Sequence, residues 1–168
     1  MKIYKPFKAA FTLTTPCRDA AAELIAQTSP GNYSKQYLEQ FEEGYEKSRL
    51  SSDSITFSSR VILNAFNQVD IFDKNYPNQA YGNWNVHWYY VGYLTGLLIN
   101  KPKGLLSFSK ELQSVKKIIE QKKEQKVWEF LQEAAILWKK KIERLGRENP
   151  FSPAEQKGYK EIKSIFGV

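Results

Sequence analysis

One cysteine, one histidine and one methionine in 168 residues leave little of the usual chemistry of active and metal sites. A lone Cys17 excludes an internal disulfide and any multi-cysteine zinc site. A lone His87 excludes the two-histidine metal motifs. The chain has neither a Walker loop nor a Gly-x-Gly-x-x-Gly turn, so nothing local announces a nucleotide. No metal and no cofactor are therefore expected. Long apolar runs are also missing. The best candidate, Val86–Ile99, has 14 residues and includes His87, against the roughly 20 that a spanning helix needs. At the N-terminus, Lys5, Pro6 and Lys8 interrupt the stretch that an export signal would keep apolar. The box Leu13-Thr14-Thr15-Pro16-Cys17 has the wrong spacing for lipoprotein cleavage. The expectation is a cytoplasmic chain without integral membrane association, in which Asn32-Tyr33-Ser34 is a chance glycosylation triplet.

What is present is ordinary globular material with an uneven charge. Hydrophobic residues make up 42% and charged ones 26% of the chain, which suits a folded domain rather than disorder. Residues 1–100 carry nine Lys+Arg against nine Asp+Glu. Residues 101–168 carry sixteen against nine, and so hold the whole net charge of +7. Fold stability does not require such a division, whereas a partner surface at one end would produce it.

Hydrophobic spacing reads as helices nearly throughout. Thr15-Pro16 opens a first helix with Leu24 and Ile25 on its buried side. Tyr37, Leu38, Phe41 and Tyr45 mark a second, with Glu39, Glu42, Glu43 and Glu46 as its solvated face. Apolar positions from Ile55 to Val69 suggest a third. Residues 70–85 read as a long irregular loop, and Val86–Ile99 first as a helix buried on most sides and second as two short core strands. From Ser107 or Ser109 to Leu145 the pattern is helical, but residues 120–126 are all polar. Either a loop divides two helices there, or one long helix projects into solvent. Gly146 is expected just past a helix end. Ser152-Pro153-Ala154-Glu155 reads as a capping box that opens a last helix over about 153–166. Residues 2–14 suit a short strand or an extended arm. The fold class expected is all-α: a single domain, 1–168, of five to seven helices, neutral and aromatic-rich over 1–100 and basic over 101–168.

The candidate partner-binding residues follow from the charge. Lys116, Lys117, Lys122, Lys123 and Lys126 surround the polar gap, and Lys139, Lys140, Arg144 and Arg147 close the next helix. Lys157, Lys160 and Lys163 share a flank of the last helix. Glutamates at helical pairing distance could neutralise these faces: Glu120 stands four residues from Lys116, Glu143 four from Lys139 and Glu161 four from Lys157. Tyr76, Tyr81 and Trp84 are added as interface candidates because they fall in the predicted long loop. The spacing of Gly92 and Gly96 reads as close helix packing. Catalysis by Cys17 with His87 lacks any supporting motif.

The partner expected is a macromolecule, with protein favoured over nucleic acid. Lysine outnumbers arginine fourteen to two in residues 101–168, and arginine is the better bidentate phosphate ligand. The sequence reading is thus a non-catalytic binding protein of inhibitor, immunity or antitoxin type. Alternatives are a nucleic-acid binder using lysine–phosphate contacts, and a peripheral membrane protein using Trp128, Trp138 and the lysines.

Overall fold

The computed structural model describes residues 15–29, 33–50, 57–75, 81–100, 103–148 and 150–168. Among them stand seven α-helices and no strand: α1 Thr15–Thr28, α2 Ser34–Leu50, α3 Arg60–Asn75, α4 Tyr81–Asn100, α5 Leu105–Lys122, α6 Gln125–Glu148 and α7 Pro153–Phe166. The fold is an all-α bundle. The expected strand or arm at 2–14 lies outside the described residues.

The hub is α4. It packs against α2, α3 and α6, while α7 lies mainly on α5, and α1 bridges α2 and α6. That explains why α4 is apolar nearly all round: Trp88, Val91, Leu94, Leu97 and Leu98 are all buried. One buried cluster runs from Cys17 in α1 to Phe166 in α7.

α2 and α4 approach each other closely. A Cβ on Gly92 would meet the Phe41 carbonyl oxygen at 2.0 Å, and one on Gly44 would meet the Tyr89 carbonyl oxygen at 2.0 Å. A Cβ on Gly96 would meet Ser48 Oγ at the same distance. The two helix backbones therefore touch through three glycines, two on α4 and one on α2. The Gly92–Gly96 spacing is used for packing, as the sequence suggested.

Several elements differ from the sequence reading. The predicted loop at 70–85 is largely helical, since α3 runs on to Asn75 and α4 begins at Tyr81. α3 begins at Arg60 rather than Ile55; Ser58 Oγ accepts from the Arg60 N–H at 3.3 Å and marks its start. Glu42, assigned to a solvated face, is 2% exposed. α2 is covered by α1 on one side and α4 on the other, so its buried face is wider than one stripe. Gly146 does not end α6, which continues to Glu148; there a Cβ would approach the Phe151 ring at 2.9 Å.

The polar gap at 120–126 is a turn between two helices. Lys123 adopts the left-handed conformation at φ 58°, its N–H bonds the Glu120 carbonyl, and the Glu124 N–H bonds the Ile119 carbonyl at 3.0 Å. This pair of bonds is a Schellman ending, where glycine is the favoured residue. A left-handed L-residue costs about 1–2 kcal/mol. Lys123→Gly is therefore expected to raise stability by about 1 kcal/mol in urea denaturation, despite the greater entropy of its unfolded chain.

Candidate functional site: the basic surface of the C-terminal helices

Local structure explains why the glutamates of residues 101–168 do not simply neutralise the lysines. Gly104, left-handed at φ 66°, starts α5 and has no side chain with which to cap it. Glu155 supplies the cap from α7: its two carboxylate oxygens accept from the Gly104 and Leu105 N–H groups, both at 3.1 Å. The capping box at Ser152 is thus half of what its sequence promised. Ser152 Oγ accepts from the Glu155 N–H at 3.2 Å, but the glutamate reaches across to another helix. An anion on two orphan N–H groups at a positive helix end is favourable. Glu155→Ala should cost about 1–2 kcal/mol in thermal or urea unfolding. A loss no larger than that of Gln156→Ala would show the cap to be idle.

Three further glutamates are committed in the same way. Glu161 Oε2 accepts from Ser109 Oγ at 2.7 Å, joining α7 to α5. Glu143 Oε1 accepts from the Tyr159 hydroxyl at 2.8 Å, joining α6 to α7. Burial and that carboxylate push the Tyr159 hydroxyl up to about 12. Glu111 Oε1 accepts from the Ser59 N–H at 3.4 Å. Among the described residues, Lys117, Lys139, Lys140, Arg144 and Arg147 have no carboxylate oxygen within 4.0 Å.

The cations do not form one surface. Lys116, Lys117, Lys122, Lys123 and Lys126 gather around the α5–α6 turn. Lys139, Lys140, Arg144 and Arg147 lie on the last turns of α6. Lys126 and Lys140 are fourteen positions apart on one helix, or about 21 Å, which exceeds a Debye length of about 8–10 Å at ordinary ionic strength. The outward stretch between them carries Glu129 and Glu133, both exposed. With Glu23 and Gln27 of α1 and with Lys126, these line a groove of about 270 Å³ floored by Leu24 and Phe130. Lys126 Nζ donates to Gln27 Oε1 across it at 3.2 Å. The surface is therefore two basic patches divided by an acidic groove. Lys116 lies 5.9 Å from the Trp128 ring centroid, and Lys163 lies 4.6 Å from that of Tyr159.

The aromatic candidates fare differently. Trp84 stands in the first turn of α4 and is 5% exposed, tilted against His87 with ring centroids 5.0 Å apart. Its expected place in a surface loop is corrected: α4 begins at Tyr81, and the helix turns the indole inward. Tyr81 is the first residue of α4, and Tyr76 lies outside the described residues. The tryptophans of the membrane alternative are also buried. Trp128 stacks on Phe166 at 4.7 Å and Trp138 is 1% exposed, so neither indole is available to a lipid interface.

No family model, curated protein or solved structure matches this chain. Its functional reading rests on its own residues.

Among these, Cys17 and His87 do not form a reactive pair. Burial pushes the Cys17 thiol up to about 12, the reverse of what its place in the first turn of α1 would do. His87 is 1% exposed and stacks on Phe66 at 4.6 Å, with Trp88 edge-on at 4.6 Å. Neither of its ring nitrogens has a hydrogen-bond partner among the described residues. Among those residues no three His, Cys, Asp or Glu side chains come together in a way that could hold a metal ion, and no helix is long and apolar enough to cross a membrane.

Proposed function

We propose that this chain is a non-catalytic docking protein that binds an acidic face of a protein partner through the exposed and half-exposed cations at the end of α6. The supporting observation is the use of Glu143, Glu155 and Glu161 as hydrogen-bond acceptors between helices. Carboxylates that join α5, α6 and α7 leave Lys139, Lys140, Arg144 and Arg147 to meet charge from outside. An exposed unpaired cation costs little alone, and it steers an oppositely charged partner at a distance. Lysine predominates over arginine in residues 101–168, which favours a protein over phosphate readout. A cytoplasmic inhibitor, immunity or antitoxin-type role is the form we favour, since it asks only for a rigid body with a charged face.

Affinity capture from native lysate with the full chain tests this. The reading expects a protein retained after nuclease treatment and released by salt. A quadruple Lys139→Glu, Lys140→Glu, Arg144→Glu, Arg147→Glu variant should lose it by about tenfold or more. The matching set at Lys117, Lys123 and Lys126 should lose less. Retention of nucleic acid alone, abolished by nuclease, would replace this reading with the nucleic-acid one.

A further inference from the structure

The inner flank of the same helix holds a cation whose surroundings are unlike those of the exposed lysines. Lys141 is only partly exposed, and its Nζ donates to Asn100 Oδ1 at 2.8 Å. Asn100 is 8% exposed and fixed from behind: its Nδ2 donates to the Tyr45 hydroxyl at 3.1 Å and to the Gly96 carbonyl at 2.9 Å. The amide is thereby oriented with its oxygen toward Lys141. Three helices meet here, Tyr45 from α2, Asn100 from α4 and Lys141 from α6. Arg49 lies one turn beyond Tyr45 on α2, and Arg144 lies three residues beyond Lys141 on the same flank of α6.

Among the described residues these charges do not cancel. Arg49 is taken up by Glu46, with its Nε 3.0 Å from Glu46 Oε2 and Nη2 on the other oxygen. Lys141 and Arg144 have no carboxylate oxygen within 4.0 Å among the described residues. Lys141 feels burial first, then Arg144 and Arg49, and all three hold its ammonium below the ordinary lysine value. A helix C-terminus could account for a lysine at this place, but Lys141 donates to a side-chain oxygen rather than to a backbone carbonyl. A half-buried ammonium beside like charge is costly to leave without an anion.

We propose that Lys141 and Arg144, with Arg49 at the border, form a binding site for a phosphate-type dianion seated where α2, α4 and α6 meet. Two positive charges with no carboxylate partner among the described residues match two negative ones, and the donors differ in a useful way. Arg144 presents a planar fork able to hold two oxygens, and Lys141 a point charge with further N–H groups beyond the one given to Asn100. The source of the dianion is either free inorganic phosphate or the terminal phosphate of a small phosphomonoester. The site shares Arg144 with the docking row but does not rest on that reading, since Lys141 held by Asn100 defines it.

The test uses the full chain near pH 8, where phosphate is about doubly charged. Inorganic phosphate and glycerol phosphate are titrated separately while the Asn100 side-chain amide and the arginine Nε–H signals are followed by NMR. We expect saturable shifts at these groups at about millimolar concentration. Lys141→Gln and Arg144→Gln should each weaken binding by about tenfold, and Lys140→Gln by less than about twofold. Arg144 is exposed, so its variant keeps the test open if the Lys141 variant fails to fold. Equal saturation by both anions would assign the phosphomonoester class, and saturation by phosphate alone the free ion. Shifts that never saturate, or equal losses from Lys140 and Lys141, would overturn the site and leave only diffuse surface charge. Capture of a protein partner by a chain that ignores phosphate would sink this inference while sparing the docking reading, and phosphate binding without any captured partner would do the reverse.

Discussion

Gly92→Ala is expected to cost about 3 kcal/mol or more, although alanine is the better helix former by about 1 kcal/mol. The added Cβ would stand 2.0 Å from the carbonyl oxygen of Phe41. That oxygen belongs to the backbone of α2, so no rotamer change relieves the clash. The helices must separate, and the rows that flank the contact lose their packing with them: Phe41 and Tyr45 on α2, Trp88 on α4, each fully buried. For a chain of this size the melting temperature should fall by about 6–12 °C. Gly44→Ala should behave alike, because its Cβ would strike the Tyr89 carbonyl from the other side. Gly146→Ala is the contrast. Its Cβ would meet only the edge of the Phe151 ring, a side chain that can turn, and the change should stay within about 1 kcal/mol. Thermal and urea denaturation of the three variants decides the matter. A Gly92→Ala protein as stable as the parent would mean that α2 and α4 do not touch through their backbones.

Acidification should unfold this protein through His87. Complete burial among Phe66, Trp84 and Trp88 lowers its pKa from 6.5 to about 3. The neutral ring is thus the form the fold accepts, and the unfolded chain binds the proton first. The stability this contributes is whole above about pH 6.5, falls as pH drops below that value, and is gone below about pH 3. The loss amounts to about 2 kcal/mol near pH 5 and about 4 kcal/mol near pH 3. His87→Phe removes the proton and two unpaired ring nitrogens while keeping an aromatic ring in the stack. Urea denaturation from pH 7.5 to 4 should show the parent losing stability with a slope near one proton, and the variant losing about one proton less. Parallel pH curves would place the acid sensitivity elsewhere and would require the imidazole to reach water or a partner.

Much of the fold was legible because helical patterning is a short-range property. The faces Tyr37-Leu38-Phe41-Tyr45 and Val127-Phe130-Leu131-Ala134-Leu137-Trp138-Ile142-Leu145 could be read from three- and four-residue spacing; all are buried except Leu137 and Leu145, which are half-buried against the core. Ser152-Pro153 placed the start of α7 on its residue because a cap acts within one turn. The seven polar residues at 120–126 implied exposure, but their pattern was the same for a turn or a projecting helix. Only the left-handed Lys123 resolved it. The 70–85 segment reads as a long loop because Asp70, Asp73 and the Asn-Tyr-Pro-Asn run resemble turn material, whereas α3 and α4 are held by packing against their neighbours.

The candidate site was legible in composition and illegible in arrangement. The excess of lysine in residues 101–168 needed only counting. Whether glutamates would cancel it depended on which donors came near them, and those donors lie far away in the chain. Glu155 meets Gly104, Glu161 meets Ser109 and Glu111 meets Ser59 across about fifty residues of sequence. The Lys141–Asn100–Tyr45 chain likewise joins three helices. By itself the sequence determined that this chain is helical, where most of its apolar faces run and which end is basic, because each depends on neighbours a turn away. The tertiary structure decided that Gly44 answers Gly92, that Trp84 turns inward and that the lysines stand in two groups, because each depends on which helix lies alongside.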